Sequence, residues 1–186
     1  MRIITGLFDT REQADRAVSA LEDADIPNAD ISIVGPSGDH ESGAAEGAGI
    51  GAAVGGVGGL LAGLGAFAIP GIGQVVGAGW LAATLIGAAA GGVAGGLIGS
   101  LTDAGVDERD AHVYAEGIRR GGTLVTARVD DAHIDAAAAI LGQAGPVDIN
   151  SRRDEYEADG WSGYDEAPTS ELDPLGSRPI VPGLPR

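Results

Sequence analysis

The sequence contains no cysteine and no lysine, and aromatic residues make up only 4% of it. Without cysteine, the chain can form neither a disulfide framework nor a thiolate metal site. The chain has 11 basic residues, all of them arginine, and 27 acidic residues, which gives a formal net charge of −16. A chain this acidic has no overall attraction to phosphate backbones, so we expect no nucleic acid among its partners.

Charge is also missing from one long stretch of the chain. Residues 47–102 carry none, and 19 of these 56 residues are glycine. A single membrane span needs about 20 apolar residues, so the stretch is long enough for two. A turn signal, Ile69-Pro70-Gly71, lies near its middle. The stretch predicts a transmembrane helical hairpin with spans at about 47–67 and 80–101, preceded by a linker at 37–46. A re-entrant hairpin and a packed soluble helix pair are the alternatives.

Many glycines of this stretch recur every fourth residue. On a helix, residues four apart are neighbours, so each series forms a smooth ridge that permits close backbone approach. Large apolar residues such as Ile50, Val54 and Val57 lie on the other side of the first helix. This pattern favours helix packing within a homo-oligomer. The predicted helix-packing residues are Gly47, Gly51, Gly55, Gly59, Gly63, Gly87, Gly91, Gly95 and Gly99.

Two aromatic residues flank the predicted turn. Phe67 would end the first span and Trp80 would begin the second. Aromatic side chains favour the level of the lipid head groups, so we predict that both residues mark the membrane interface. The lipid bilayer is therefore an expected partner and the cytoplasmic membrane the expected location, with the charged domain on the cytoplasmic side.

The charged flanks predict two halves of one domain. Residues 1–36 have a strand, a helix and a second strand, and residues 103–153 have the order helix, strand, helix and a short strand at 147–150. Neither half is long enough to bury a core alone. Together they predict a small α+β sandwich of ferredoxin-like type, interrupted by the hairpin. The acidic, proline-containing tail, residues 154–186, is predicted to be disordered.

Three segments resemble the general stress protein 17M-like (heat-induced stress protein) family. They are Ile4-Thr5-Gly6-Leu7-Phe8-Asp9, Ile69-Pro70-Gly71-Ile72-Gly73 and Tyr114-Ala115-Glu116-Gly117-Ile118-Arg119-Arg120-Gly121-Gly122-Thr123-Leu124-Val125. The resemblance covers about residues 1–152. It implies a stress-linked, membrane-associated protein with a glycine-zipper segment, and it supplies no catalytic residues.

Motifs for catalysis or cofactor binding are weak. The pattern G-x-G-x-x-A occurs three times in the glycine-rich stretch, but no occurrence follows a predicted strand, so none predicts a nucleotide site. The three histidines lie beside acids, as in Asp131 and His133, yet their spacing does not bring ligands together on one helix face. We therefore predict no catalytic, cofactor-binding or metal residues, no cofactor, and no small-molecule substrate.

The sequence as a whole predicts a non-enzymatic, membrane-associated general stress response protein. It would anchor itself and self-associate through the glycine-zipper hairpin. The alternative is a soluble, self-assembling regulatory or ligand-binding α+β module that uses the glycine-rich hairpin for oligomerisation.

Overall fold

The computed structural model describes residues 1–37, 65–69, 72–91 and 96–164, whose strands form a five-stranded antiparallel sheet. The strands are β1 (Arg2–Phe8), β2 (Ile31–Pro36), β3 (Gly65–Ile69), β4 (Gly73–Gly79) and β5 (Thr123–Val129). The helices are α1 (Arg11–Asp23), α2 (Trp80–Gly91), α3 (Gly96–Asp103), α4 (Glu108–Arg119), α5 (Ile134–Gln143) and α6 (Ile149–Ala158). The prediction of an α+β fold is confirmed in this general form.

Local side chains fix where several helices begin. Thr10 accepts a hydrogen bond from the backbone N–H of Gln13, and the Gln13 side chain accepts one from the Thr10 N–H, which completes a capping box before α1. Asp107 accepts from the backbone N–H of Arg109 before α4, and Asp148 accepts from the backbone N–H of Ser151 before α6. These contacts satisfy amide groups that have no partner within the helix.

The order of strands across the sheet is β1-β5-β2-β4-β3. Because β1 and β2 both run antiparallel to β5, they are parallel to each other with β5 between them. The connection β1–α1–β2 is therefore a split βαβ unit, a motif that ferredoxin-like folds also contain. The ferredoxin-like assignment of the whole domain stays a prediction.

Helices cover both faces of the sheet, and each face has its own apolar core. On one face, Ala14, Ala17 and Leu21 of α1 pack with α5 over Ile31, Ile33, Val125 and Ala127 of the sheet. On the other face, helices α2, α3 and α4 pack over Leu7, Val34, Val75 and Leu124. Strand residues alternate between the two cores, as the pleat of a sheet requires.

The second half of the charge-free stretch forms part of this domain. Residues 65–69 and 73–79, predicted as a helix end and a loop, instead form the paired strands β3 and β4. The predicted helix over 80–101 is also wrong as one element, since α2 ends at Gly91 and α3 starts at Gly96, where φ is +39°. Leu81, Leu97 and Leu101 are at most 1% exposed in the core beside α4.

A glycine makes the change from β4 to α2 possible. Gly79 has φ = +89°, and a Cβ atom there would overlap the backbone of Ile31. No other residue type adopts that conformation so readily or allows so close an approach. The glycine content that predicted helix packing in a membrane is thus used here for a turn and a close contact between strands.

The C-terminal boundary of the domain also differs from the prediction. The expected strand at 147–150 is wrong, because α6 starts at Ile149 and the residues before it are irregular. The N–H of Val147 nevertheless donates to the Leu7 carbonyl at 2.7 Å, at the outer edge of β1. Helix α6 extends beyond the predicted boundary at residue 153, and Tyr164, at the end of the described residues, is buried. The rest of the predicted tail, 165–186, lies outside the described residues.

No helix among residues 1–37, 72–91 and 96–164 has both the length and the apolar character for a membrane crossing. The predicted linker and most of the first span, residues 38–64, lie outside the described part of the chain. The transmembrane hairpin therefore stays a prediction.

Candidate functional site

A groove of about 380 Å³ opens between β1, α4 and the chain leading into α6. Thr5, Gly6 and Leu7 line it on the β1 side, and Tyr114 lines it on the α4 side. The remaining contacts come from Gly142, Gly145, Pro146, Val147, Asp148 and Ile149. Its lining includes Val147, Asp148 and Ile149, which belong to the segment predicted as a short strand.

Tyr114 is the titratable side chain most affected by burial in this groove. Burial, reinforced by the nearby negative charge of Asp110, raises its pKa to about 12. The phenol is therefore neutral at physiological pH, and it can donate a hydrogen bond without acting as a base.

Polar groups without partners lie behind the groove. Thr5 and Thr126 are directly opposite each other in the β1–β5 register, and the Oγ1 atoms of both are buried without a hydrogen-bond partner. Ser32, the next residue in this row, differs because its hydroxyl donates to the Ala78 carbonyl at 2.7 Å. A buried polar group without a partner costs about 1–3 kcal/mol, so the pair of threonines is a local source of instability.

Glu116 is the most deeply buried acid of the described residues. Its side chain on α4 is 1% exposed and accepts hydrogen bonds from Arg119 and Arg120. Burial alone would raise the pKa of Glu116, but the two arginine hydrogen bonds and charges outweigh that effect, and the pKa is lowered. The carboxylate is therefore charged and internally paired, an arrangement that suits structural stabilisation.

Two arginines, Arg120 and Arg153, connect α4 with α6. Arg120 reaches Asp159 at 2.9 Å and lies 4.2 Å from the ring centre of Tyr156, a cation–π contact. Arg153 of α6 donates to Asp110 of α4 at 2.5 Å. These contacts hold α6 against the domain, which explains why the chain beyond residue 153 is folded despite its acidic composition.

The histidines of the described residues do not form a metal centre. His133 contacts Asp130 through Nδ1 at 2.7 Å, and His112 accepts a hydrogen bond from the backbone N–H of Tyr164. Within the described ranges, no group of three or more histidine, cysteine, aspartate or glutamate side chains is placed to hold a metal ion.

The residues predicted for helix packing are divided among several elements. Gly87 and Gly91 belong to α2, and Gly99 belongs to α3. A Cβ atom on Gly99 would meet nothing within 4 Å. Gly47, Gly51, Gly55, Gly59, Gly63 and Gly95 lie outside the described residues. The second predicted ridge therefore does not run along one continuous helix.

The two predicted interface aromatics lie within the folded domain. Phe67 is in β3, opposite Val75 of β4. Trp80 begins α2, and the guanidinium of Arg128 lies 4.8 Å from the centre of its ring. The structure thus places both residues in or beside the sheet, and their interface role stays a prediction.

The chain was compared with protein-family models, with curated proteins and with solved structures, and none of the three comparisons found a match. The groove and the Glu116 cluster are therefore interpreted from their own geometry.

Sequence reasoning missed the role of Glu116, although a signal for it exists. The acid lies between Tyr114 and Ile118 on a helix, and arginines follow it at i+3 and i+4. That spacing permits two ion pairs with one carboxylate on the same helix face. The sequence has no such signal for Thr5 and Thr126, because their position opposite each other depends on the register of β1 against β5.

Proposed function

We propose that the chain is a non-enzymatic stress-response protein that self-associates through the glycine series Gly47, Gly51, Gly55, Gly59 and Gly63. The stress-response part rests on the family resemblance of residues 1–152. Self-association rests on the spacing of the glycines, which allows two helices to approach closely.

The observation that supports this proposal is the packing of the second half of the charge-free stretch. Leu81, Leu97 and Leu101 are buried in the core of the domain. These three leucines are thereby used within one molecule. The first glycine series is the part of the stretch left for contacts between molecules.

The test is the molar mass of the full chain in detergent-free buffer, measured by light scattering after size-exclusion chromatography. We expect the unmodified chain to be an oligomer and Gly55→Leu to shift it to the monomer, because the leucine side chain obstructs the ridge. Gly49→Leu is the matched control, since it lies two residues from both Gly47 and Gly51 and so faces away from them on a helix. A monomeric wild type, or an equal effect of both substitutions, would contradict the proposal.

Membrane attachment through the same segment is a second candidate, favoured by the absence of charge from residues 47–102. Carbonate washing of isolated membranes separates the two candidates. Retention of the protein in the washed membranes supports attachment, whereas release into the wash contradicts it and leaves self-association as the function.

A further inference from the structure

The outer edge of β1 has main-chain groups that no strand of the described sheet uses. The N–H of Val147 donates to the Leu7 carbonyl from outside the sheet, so the main chain of Leu7 faces away from β5. In an antiparallel ladder every second residue faces the same way, so the main chains of Ile3 and Thr5 also face outward. Within the described residues, their N–H and C=O groups have no hydrogen-bond partner.

This edge also lacks the features that normally prevent a strand from pairing with another chain. Exposed edges are commonly protected by lysine, proline, inward-pointing charges or a covering loop. Residues 3–8 of β1 contain neither proline nor a charged residue, and Ile3 and Thr5 are only partly buried. The chain at Val147 covers the edge beside Leu7 and leaves the part before it uncovered by described residues. We call this part, Ile3–Thr5, the open edge.

The candidate groove adjoins the open edge and adds side-chain contacts to it. Tyr114 of α4 and Gly142 of α5 both line the groove, although these helices cover opposite faces of the sheet, and Thr5 of the open edge lines it as well. Tyr114 is only 9% exposed, and its hydroxyl has no hydrogen-bond partner among the described residues. The neutral phenol therefore has a free donor at the wall of the groove. Asp148 is the one charged side chain in the lining.

We propose that the open edge and the groove bind an extended, basic peptide segment of a partner protein, which adds to β1 as a further strand. Peptides bound in this way gain affinity from main-chain hydrogen bonds and specificity from side-chain contacts. Ile3 and Thr5 supply two N–H and two C=O groups for the pairing, and Tyr114 supplies a hydroxyl donor. Asp148 attracts a lysine or arginine of the peptide, and the net charge of −16 favours a basic partner in the same way. The site shares no residue with the glycine series, so it goes beyond the proposed self-association.

Three synthetic peptides test the main-chain pairing and the charge separately. The probe is acetyl-Lys-Val-Thr-Val-Lys-amide, whose β-branched residues favour an extended backbone. One control has glutamate in place of both lysines, and the other carries methyl groups on its three central main-chain nitrogens. Titration calorimetry with the full chain at low ionic strength should show the tightest binding for the probe. The methylated peptide should bind about tenfold more weakly, because it loses two hydrogen bonds. Equal affinity for the probe and either control, or no binding of the probe at millimolar concentration, would overturn the proposal.

Tyr114→Phe and Asp148→Asn test whether the peptide lies in the groove. Phenylalanine removes a donor that has no partner in the free protein, so the affinity for the probe should fall about fivefold while the stability of the domain stays the same. Asparagine keeps the cap of α6 but removes the charge, so the preference for the basic over the acidic peptide should shrink. Asp135→Asn, an exposed acid in the first turn of α5, is the matched control and should leave this preference nearly unchanged. Wild-type binding in both groove variants would overturn the proposal.

Amide hydrogen exchange of the unmodified full chain tests the pairing without any substitution. With the probe at about ten times its dissociation constant, exchange at Ile3 and Thr5 should slow about tenfold, because their N–H groups gain partners. Ile4 and Gly6 face β5 in the free protein and should change little. If Thr5 were as protected as Ile4 before any peptide is added, the chain itself or a second copy would already cover the edge, and the proposal would be overturned. None of these measurements depends on the glycine series, so peptide binding and self-association can fail separately.

Discussion

The polar row formed by Thr5, Thr126 and Ser32 shows how neighbouring hydroxyl groups can have opposite effects on stability. Ser32 and Thr126 are register partners and almost fully buried, yet only the Ser32 hydroxyl has a hydrogen bond. A hydrogen-bonded hydroxyl stabilises the fold, whereas an unpaired one retains the cost of losing its water.

We therefore expect Thr126→Val to leave the free energy of unfolding unchanged or to raise it by about 1 kcal/mol, since valine has nearly the same shape. Ser32→Ala, the contrasting substitution, should lower it by about 1 kcal/mol. Urea unfolding at neutral pH measures both values. A marked loss of stability in Thr126→Val would mean that its hydroxyl has a partner in solution.

Glu116 makes stability depend on acid. Its pKa is lowered in the folded protein from a reference value of 4.5, so its charged form stabilises the fold. This contribution is complete above about pH 4.5 and is lost as the pH falls through the lowered folded value.

At neutral pH, Glu116→Gln should lower the free energy of unfolding by about 1–3 kcal/mol. Solvent screening limits this loss, because Arg119 and Arg120 are partly exposed. The difference from the wild type should shrink as the pH is lowered through the folded pKa of Glu116. Urea titrations at pH 7 and at successively lower pH values check this prediction. A constant difference at all pH values would argue against the ion pair.

Glycines have different roles at the level of the elements. In α4, a Cβ atom on Gly117 would overlap the side chain of Leu7, so this glycine sets how closely the helix approaches β1. In α5, a Cβ atom on Gly142 would meet nothing within 4 Å. Glycine is thus required at position 117 of α4, whereas at position 142 of α5 it only destabilises the helix.

Gly117→Ala should destabilise the domain by about 1–3 kcal/mol, because the overpacking outweighs the gain of about 1 kcal/mol in helix propensity. Gly142→Ala gains the same helix propensity without overlapping any side chain, so it should stabilise the domain by up to about 1 kcal/mol. Thermal unfolding followed by circular dichroism compares the two variants. If both substitutions stabilised the protein, the close packing of α4 on β1 would be wrong.

The elements that sequence reasoning predicted well have strong local signals. The strand Thr123–Val129 and the helix that starts after Asp107 agree with the structure, since alternation and capping residues specify them. The hairpin β3–β4 was missed because its residues are glycine, alanine and apolar side chains, which fit a helix or a strand equally. Helix α6 was missed because its stability comes from contacts with α4, which its own sequence does not indicate.

For the whole molecule, the sequence predicted that two charged halves form one domain, and strands β1, β2 and β5 do share one sheet. The sequence could not reveal that the glycine-rich stretch supplies two further strands and two helices to that domain. Burial of Leu81, Leu97 and Leu101 depends on tertiary packing, and an apolar pattern alone does not distinguish a protein core from a lipid core. The candidate groove was equally beyond prediction, because it depends on how residues 145–149 pass along β1.

The central claim is that residues 73–79 and 96–103 are packed into the same domain as β1, β2 and β5. Amide hydrogen exchange of the full chain in detergent-free buffer tests it most directly. Val75 and Leu101 should be protected to about the same degree as Val125 of β5, because all three lie in hydrogen-bonded elements of one domain and are buried in the two cores that flank the same sheet. Rapid exchange at Val75 and Leu101 beside strong protection at Val125, or protection that appears only after lipid or detergent is added, would contradict the account.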